Sequence, residues 1–183
     1  ALAVFALIYV GFSGPTDPQR NILPLTIWTG WWIGVFVIQG LVMDLWKWID
    51  PGRGVYGLLL GEGEPLIQLP VRFGAWPAVA IFLGFQTFML ADIAPSDPGR
   101  LATVALGYWV LTFTGMVVFG RTAWCKQVEC FSVLFDLIGS LRPVHVTDKI
   151  RLGLPGWQSL FRAPLDPARA VFCLTVLFSG SFD

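Results

Sequence analysis

Three stretches of this chain carry no charged side chain: Asn21 to Met43, Phe73 to Ala91 and Leu101 to Gly120. A bilayer core of about 30 Å is crossed by roughly 20 apolar helical residues. Within hydrocarbon every backbone polar group must be satisfied internally, which a helix does within one segment. Each stretch therefore reads as a transmembrane helix. Two shorter apolar runs, 1–12 and 170–182, stand at the ends of the sequence and read as partial spans. The expected fold is all-α, a polytopic transmembrane helix bundle forming one integral membrane domain over 1–183. Apolar runs at both ends also lead us to expect a fragment of a longer chain.

Composition agrees with that solvent. Charged residues are 13% of the chain and apolar ones 55%, whereas soluble domains carry about 25% charged residues. The formal net charge is zero, so the basic footprint of a nucleic-acid partner is missing. Three cysteines, Cys125, Cys130 and Cys173, are an odd number without the spacing of a disulfide scaffold.

The distribution of basic residues sets the orientation. Ser13–Arg20 and Asp92–Arg100 hold one each, Asp44–Arg72 holds three and Arg121–Arg169 holds seven. Connections that alternate sides put ten on one face against two on the other. The positive-inside rule makes the basic face cytoplasmic, as in a multi-pass protein of a bacterial inner membrane with its larger loops inside.

Asp-Pro-x-Arg occurs four times, from Asp17, Asp50, Asp97 and Asp166. Asp is a good N-cap and Pro fits the first helical position, so the motif predicts helix starts, with Arg free to snorkel toward headgroups.

Five of the nine tryptophans lie between Trp28 and Trp48. Trp28, Trp31 and Trp32 share one α-helical face by their i, i+3, i+4 spacing. That face serves packing or lipid contact, or forms a stacking wall for a pigment, quinone or other flat ligand. Gly30 and Gly34 make a Gly-x-x-x-Gly pair suited to close helix approach. Gln39 and Gln86 are the clearest polar side chains inside spans and are expected to bond across helices. No ionisable residue lies in the middle of a complete span, which argues against a proton or ion route through these helices.

The long 121–169 connection contains a periodic segment. Val128, Phe131, Leu134, Phe135, Ile138 and Leu141 recur on one face, with Lys126, Glu129, Ser132, Asp136 and Ser140 on the other. It predicts an amphipathic helix lying along the membrane interface or docking on the bundle, ended by Arg142-Pro143. A weaker surface element runs through Trp157 to Phe161, and the glycine-rich 54–68 stretch reads as irregular.

Residues for chemistry are few. Cys125 and Cys130, five apart, would point about 140° away from each other on one helix. His145 is the only histidine and lies in a loop, so no metal site is expected. A Cys–His nucleophile pair is weighed and disfavoured, and no catalytic residue or cofactor is assigned.

Trp28-Thr29-Gly30-Trp31-Trp32-Ile33-Gly34, then Gln39-Gly40, Asp44-Leu45-Trp46, Trp48-Ile49 and Pro51-x-Arg53-Gly54, resemble the multi-spanning bacterial membrane proteins labelled fenitrothion hydrolase-like. Phe131-Ser132 and Ser181-Phe182-Asp183 are similar to that family as well. The resemblance implies a longer parent protein and organophosphate ester hydrolysis, and it transfers no active-site residue. The residues themselves favour a non-catalytic, helix-packing subunit of a larger membrane complex, partnered by the bilayer and by other helices or subunits. A membrane-bound ester hydrolase and part of a transporter are the alternatives.

Overall fold

The computed structural model describes residues 2–61, 64–146 and 150–179. Among the described residues the fold is all-α apart from one short hairpin. Helix α1 spans Leu2–Ser13. A continuous helix then runs over Ile22–Leu41, built from α2 (Ile22–Leu25), a π-helical segment (Thr26–Val35) and α3 (Phe36–Leu41). Asn21 starts it by accepting the Leu23 N–H at 3.0 Å, and its amide donates to the Val10 and Pro15 carbonyls. Short helices α4 (Trp46–Ile49) and α5 (Pro51–Leu59) follow, then α6 (Trp76–Ala91) and α7 (Pro98–Phe119).

Among the described residues two helices are long and apolar enough to cross a membrane, Ile22–Leu41 with 20 residues and Pro98–Phe119 with 22. At 1.5 Å per residue the latter is about 33 Å long. The 73–91 span expected from the sequence is shorter in the structure. Val71–Phe73 forms a 3₁₀ turn, Gly74 takes φ 48°, and the α-helix begins only at Trp76 with Pro77 in its first turn. Its 16 residues make a rod of about 24 Å.

Side-chain caps explain several of the helix starts. Asp50 accepts from Gly52 and Arg53 N–H, Asp97 from Arg100 N–H and Asp166 from Arg169 N–H. Asp17 is the exception, because the turn there continues to Asn21, which does the capping. The Asp50 cap also corrects the irregular reading of 54–68. Pro51–Leu59 is helical despite Gly52, Gly54 and Gly57, so the start signal outweighs the low helix propensity of glycine.

The predicted amphipathic segment differs most. It is two helices, α8 (Arg121–Gln127) and α9 (Cys130–Gly139), broken at Val128–Glu129. Gly120, at φ 81°, turns the chain so that α8 folds back on α7. There Trp124 lies where a Cβ on Gly115 would fall. Helix α9 then enters between α3, α6 and α8, and Cys130 to Phe135 are all buried. Docking on the bundle is thus the observed arrangement. The reason is chemical: the polar positions Glu129 and Ser132, assigned to a solvent face by periodicity, find protein partners instead.

A two-stranded antiparallel hairpin, β1 (Val144–Val146) with β2 (Ile150–Leu152), and a 3₁₀ turn at Trp157–Phe161 fill the rest of that connection. The last helix, α10 (Pro167–Ser179), packs on α6. The main core is aromatic and centres on Trp46, Phe82, Phe131, Phe135 and Phe172.

Candidate functional site

A chain of polar groups runs through the bundle beside that core. Its first member is the Asp50 carboxylate, fixed by the two N–H groups it caps. The Arg53 Nε approaches it at 3.0 Å. An Arg53 terminal N–H donates to the Ser132 hydroxyl at 2.9 Å, and the Trp46 indole N–H donates to the same oxygen at 3.1 Å. Ser132 lies in the first turn of α9, whose N-cap is Glu129. The Glu129 carboxylate accepts from the Phe131 and Ser132 N–H groups and from the Tyr108 hydroxyl. The Cys130 Sγ lies 3.5 Å from that hydroxyl.

Position makes Glu129 unusual. Tyr108 stands near the middle of α7, so the fold-back of α8 carries a carboxylate from a long connection to mid-depth of a membrane-length helix. Glu129 is 1% exposed. Burial pushes its carboxyl above the ordinary glutamate range and the nearby Asp50 charge adds to this, against the bonds from Ser132 and Tyr108. Asp50 is also pushed up by burial, with Arg53 opposing.

The network ends at a cavity of about 470 Å³ lined by Lys47, Trp48, Asp50, Arg53, Arg121 and Lys126 among others. A second, apolar groove of about 490 Å³ lies between α9 and α10, walled by Leu134, Leu137, Pro164, Cys173 and Leu177.

Trp28, Trp31 and Trp32 do not form one wall, and none of them lines either cavity. In the π-helical segment the i→i+5 winding turns each residue less than the 100° of an α-helix. Trp28 packs with Ile8, Leu23, Leu101 and Ala102, whereas Trp31 and Trp32 join the main core. Trp31 meets Phe131 edge-on at 4.5 Å, and Trp32 meets Phe36 at 4.9 Å. Gly30 and Gly34 have only atoms of their own helix within reach of a Cβ, so no other described helix approaches them closely. Close approach falls to Gly52 against Met116 and to Gly115 against Trp124.

Gln39 is buried and fully engaged. Its amide donates to Asp44 and to the Phe135 carbonyl, both at 2.9 Å, and its oxygen accepts the Trp46 N–H at 3.0 Å. Gln86 is half-buried on α6. Cys125 is buried near Met116 and Arg53, and burial lifts its thiol to about 11. Cys130 is pushed higher still for the same reason. Both are protonated thiols at neutral pH, a poor state for a nucleophile. His145 pairs with Arg151 through the backbone of the hairpin. Among the described residues no three His, Cys, Asp or Glu side chains converge as metal ligands.

Sequence reading missed Tyr108, Glu129 and Ser132 as one group. The available signal was Glu129 three residues before Ser132 at the start of an apolar run, an N-cap pattern hidden by counting both as solvent-facing.

Comparison with protein-family models, curated proteins and solved structures gives no match. The protein's described residues form a mainly helical bundle with two membrane-length apolar helices and a buried carboxylate network.

Proposed function

We propose that this chain belongs to a multi-pass protein of the bacterial inner membrane and acts as a non-catalytic, helix-packing subunit of a larger membrane complex. The observation that carries this reading is the exposure of the two long apolar helices. Only 22% of the most apolar 18 residues of Ile22–Leu41 and 28% of those of Pro98–Phe119 are buried. Ile33, Val37, Leu41, Val110 and Leu111 all point outward. The core helix of a soluble protein is mostly buried, and water penalises exposed apolar surface by roughly 25 cal/mol per Å². Lipid, or apolar helices of a partner, is the solvent that suits these faces. The ten-to-two basic asymmetry favours a cytoplasmic position for 44–72 and 121–169.

The interior supports a packing role over catalysis. Asp50 and Glu129 serve as helix caps, Gln39 ties α3 to α9, and the buried thiols are protonated. Purification from membranes in mild detergent, with identification of what accompanies the chain, tests the reading. Partner subunits in fixed ratio are expected. A monodisperse single chain that hydrolyses phosphate esters replaces this reading with the hydrolase suggested by the resemblance.

One observation favours a second reading, part of a transporter. Glu129 sits at mid-depth of α7 and connects through Ser132 and Arg53 to Asp50 at the cavity. Intramembrane carboxylates linked to an aqueous mouth are the usual parts of proton-coupled routes. Proton uptake into vesicles that Glu129→Gln abolishes would establish it.

A further inference from the structure

We infer that the cavity between α4, α5 and α8 binds a phosphate group, carried either by an anionic lipid headgroup or by a free phosphate. The inference deepens the membrane reading above and, for the lipid source, rests on it.

Charge and placement carry it. Three separate elements bring cations to one cavity: Lys47 from α4, Arg53 from α5, and Arg121 and Lys126 from α8. Among the described residues they face Asp50 in the lining, Asp44, which holds Lys47 at 2.8 Å, and Glu129, whose buried carboxyl lies near Arg53. Asp50 is committed to the α5 cap and to Arg53. Lys126 is exposed at the mouth and has no ion-pair partner among the described residues. The Thr122 hydroxyl adds a neutral donor to the lining. Donors arriving from several directions suit a tetrahedral group with several acceptor oxygens better than a planar carboxylate.

The surroundings favour a ligand that has an apolar part beside its charge. Trp48, in the lining itself, is 80% exposed, and α5 ends in the exposed Leu58 and Leu59. The cavity belongs to the two basic connections, the face on which anionic lipid heads concentrate if the positive-inside orientation holds. Basic pockets between helices on that face are suited to such heads.

The test uses the full chain in two settings. In detergent it is titrated with inorganic phosphate by calorimetry. In nanodiscs of phosphatidylcholine with increasing phosphatidylglycerol, bound lipid is counted by native mass spectrometry. Saturable binding is expected in at least one setting, and phosphatidylglycerol alone or phosphate alone identifies the source. Lys126→Gln and Lys47→Gln each lower the affinity roughly fivefold, the effect of one basic charge near a headgroup. Both side chains are exposed, so circular dichroism is unchanged in both variants. Arg151→Gln removes an exposed charge from the hairpin of the same connection and leaves affinity unchanged. The inference is overturned if neither phosphatidylglycerol nor phosphate saturates, or if Arg151→Gln weakens binding as much as Lys126→Gln. Failure of the chain to enter nanodiscs counts against the membrane reading alone, because the detergent titration then decides for or against the cavity.

Discussion

The Tyr108 hydroxyl donates to the Glu129 carboxylate, joining the middle of a membrane-length helix to the N-cap of a helix buried beside it. Three donors thus converge on one buried carboxylate. Removing one partner leaves a buried polar group short of a bond, which costs about 1–3 kcal/mol. Tyr108→Phe is therefore expected to destabilise the protein by that amount in detergent thermal unfolding. Glu129→Ala should cost at least as much, because it also removes the α9 cap, worth about 1 kcal/mol. Equal stability of wild type and Tyr108→Phe would show that the bond carries no net energy.

The same carboxylate predicts a pH dependence. Its folded value lies above the ordinary glutamate range because burial disfavours the charged form. A raised folded value means that the native state binds more protons than the unfolded one. The contribution to stability is then fully present below about 4.5, and it is lost as pH rises from there through the folded value. Asp50 acts in the same direction. Unfolding midpoints should fall as pH rises through this window, and Glu129→Gln should flatten that slope. A Glu129→Gln profile parallel to wild type would place the titration elsewhere.

Apolar run length and cap chemistry were legible because both are local. The uncharged stretches located the long helices, and Asp97 and Asp166 marked real starts. What stayed hidden depends on partners distant in sequence. Ser132 is 79 residues from Arg53 and 86 from Trp46, and periodicity can only place such a residue on the polar side. The fate of the tryptophans was hidden for another reason. Their predicted common face assumed 100° per residue, whereas the π-helical winding of Thr26–Val35 swings Trp31 off the face of Trp28, and Trp28 packs in a different cluster from Trp31 and Trp32. Gly30 and Gly34 show the limit of a motif: spacing permits close approach but does not supply the approaching helix.

Gly115 is where the fold-back of α8 is most sensitive. A Cβ there would fall within the Trp124 ring, which is itself buried. Overpacking of this kind typically costs about 1–3 kcal/mol. Gly115→Ala should lower the unfolding midpoint, and Gly115→Ala added to Trp124→Ala should cost much less than Gly115→Ala alone. Additive losses in that double-mutant cycle would deny the contact.

Gln39 offers a test of the polar tie between α3 and α9. Gln39→Leu keeps the volume roughly but strands the Trp46 N–H and the Phe135 carbonyl, both of which it bonds. A loss of about 2 kcal/mol or more is expected. Gln39→Glu keeps an acceptor for Trp46 but faces Asp44 at the position where the amide donates. It should therefore be the worse substitution at neutral pH and recover on acidification. Unfolding midpoints of the two variants across pH separate lost bonds from added charge.

The thiols decide how far a hydrolase reading can rest on cysteine. Cys125 and Cys130 are buried, and the Cys125 thiol stands at about 11. At pH 7.5 the thiolate fraction of such a group is below about one in a thousand, and the reagent must also reach it. Maleimide labelling of both residues in the folded protein should be slower by at least about a hundredfold than in denaturant. Any ester hydrolysis by the purified chain should then survive Cys125→Ala, Cys130→Ala and His145→Ala together. Rapid native labelling of either cysteine, or loss of hydrolysis in the triple variant with its fold intact, would return the nucleophile to that pair of helices.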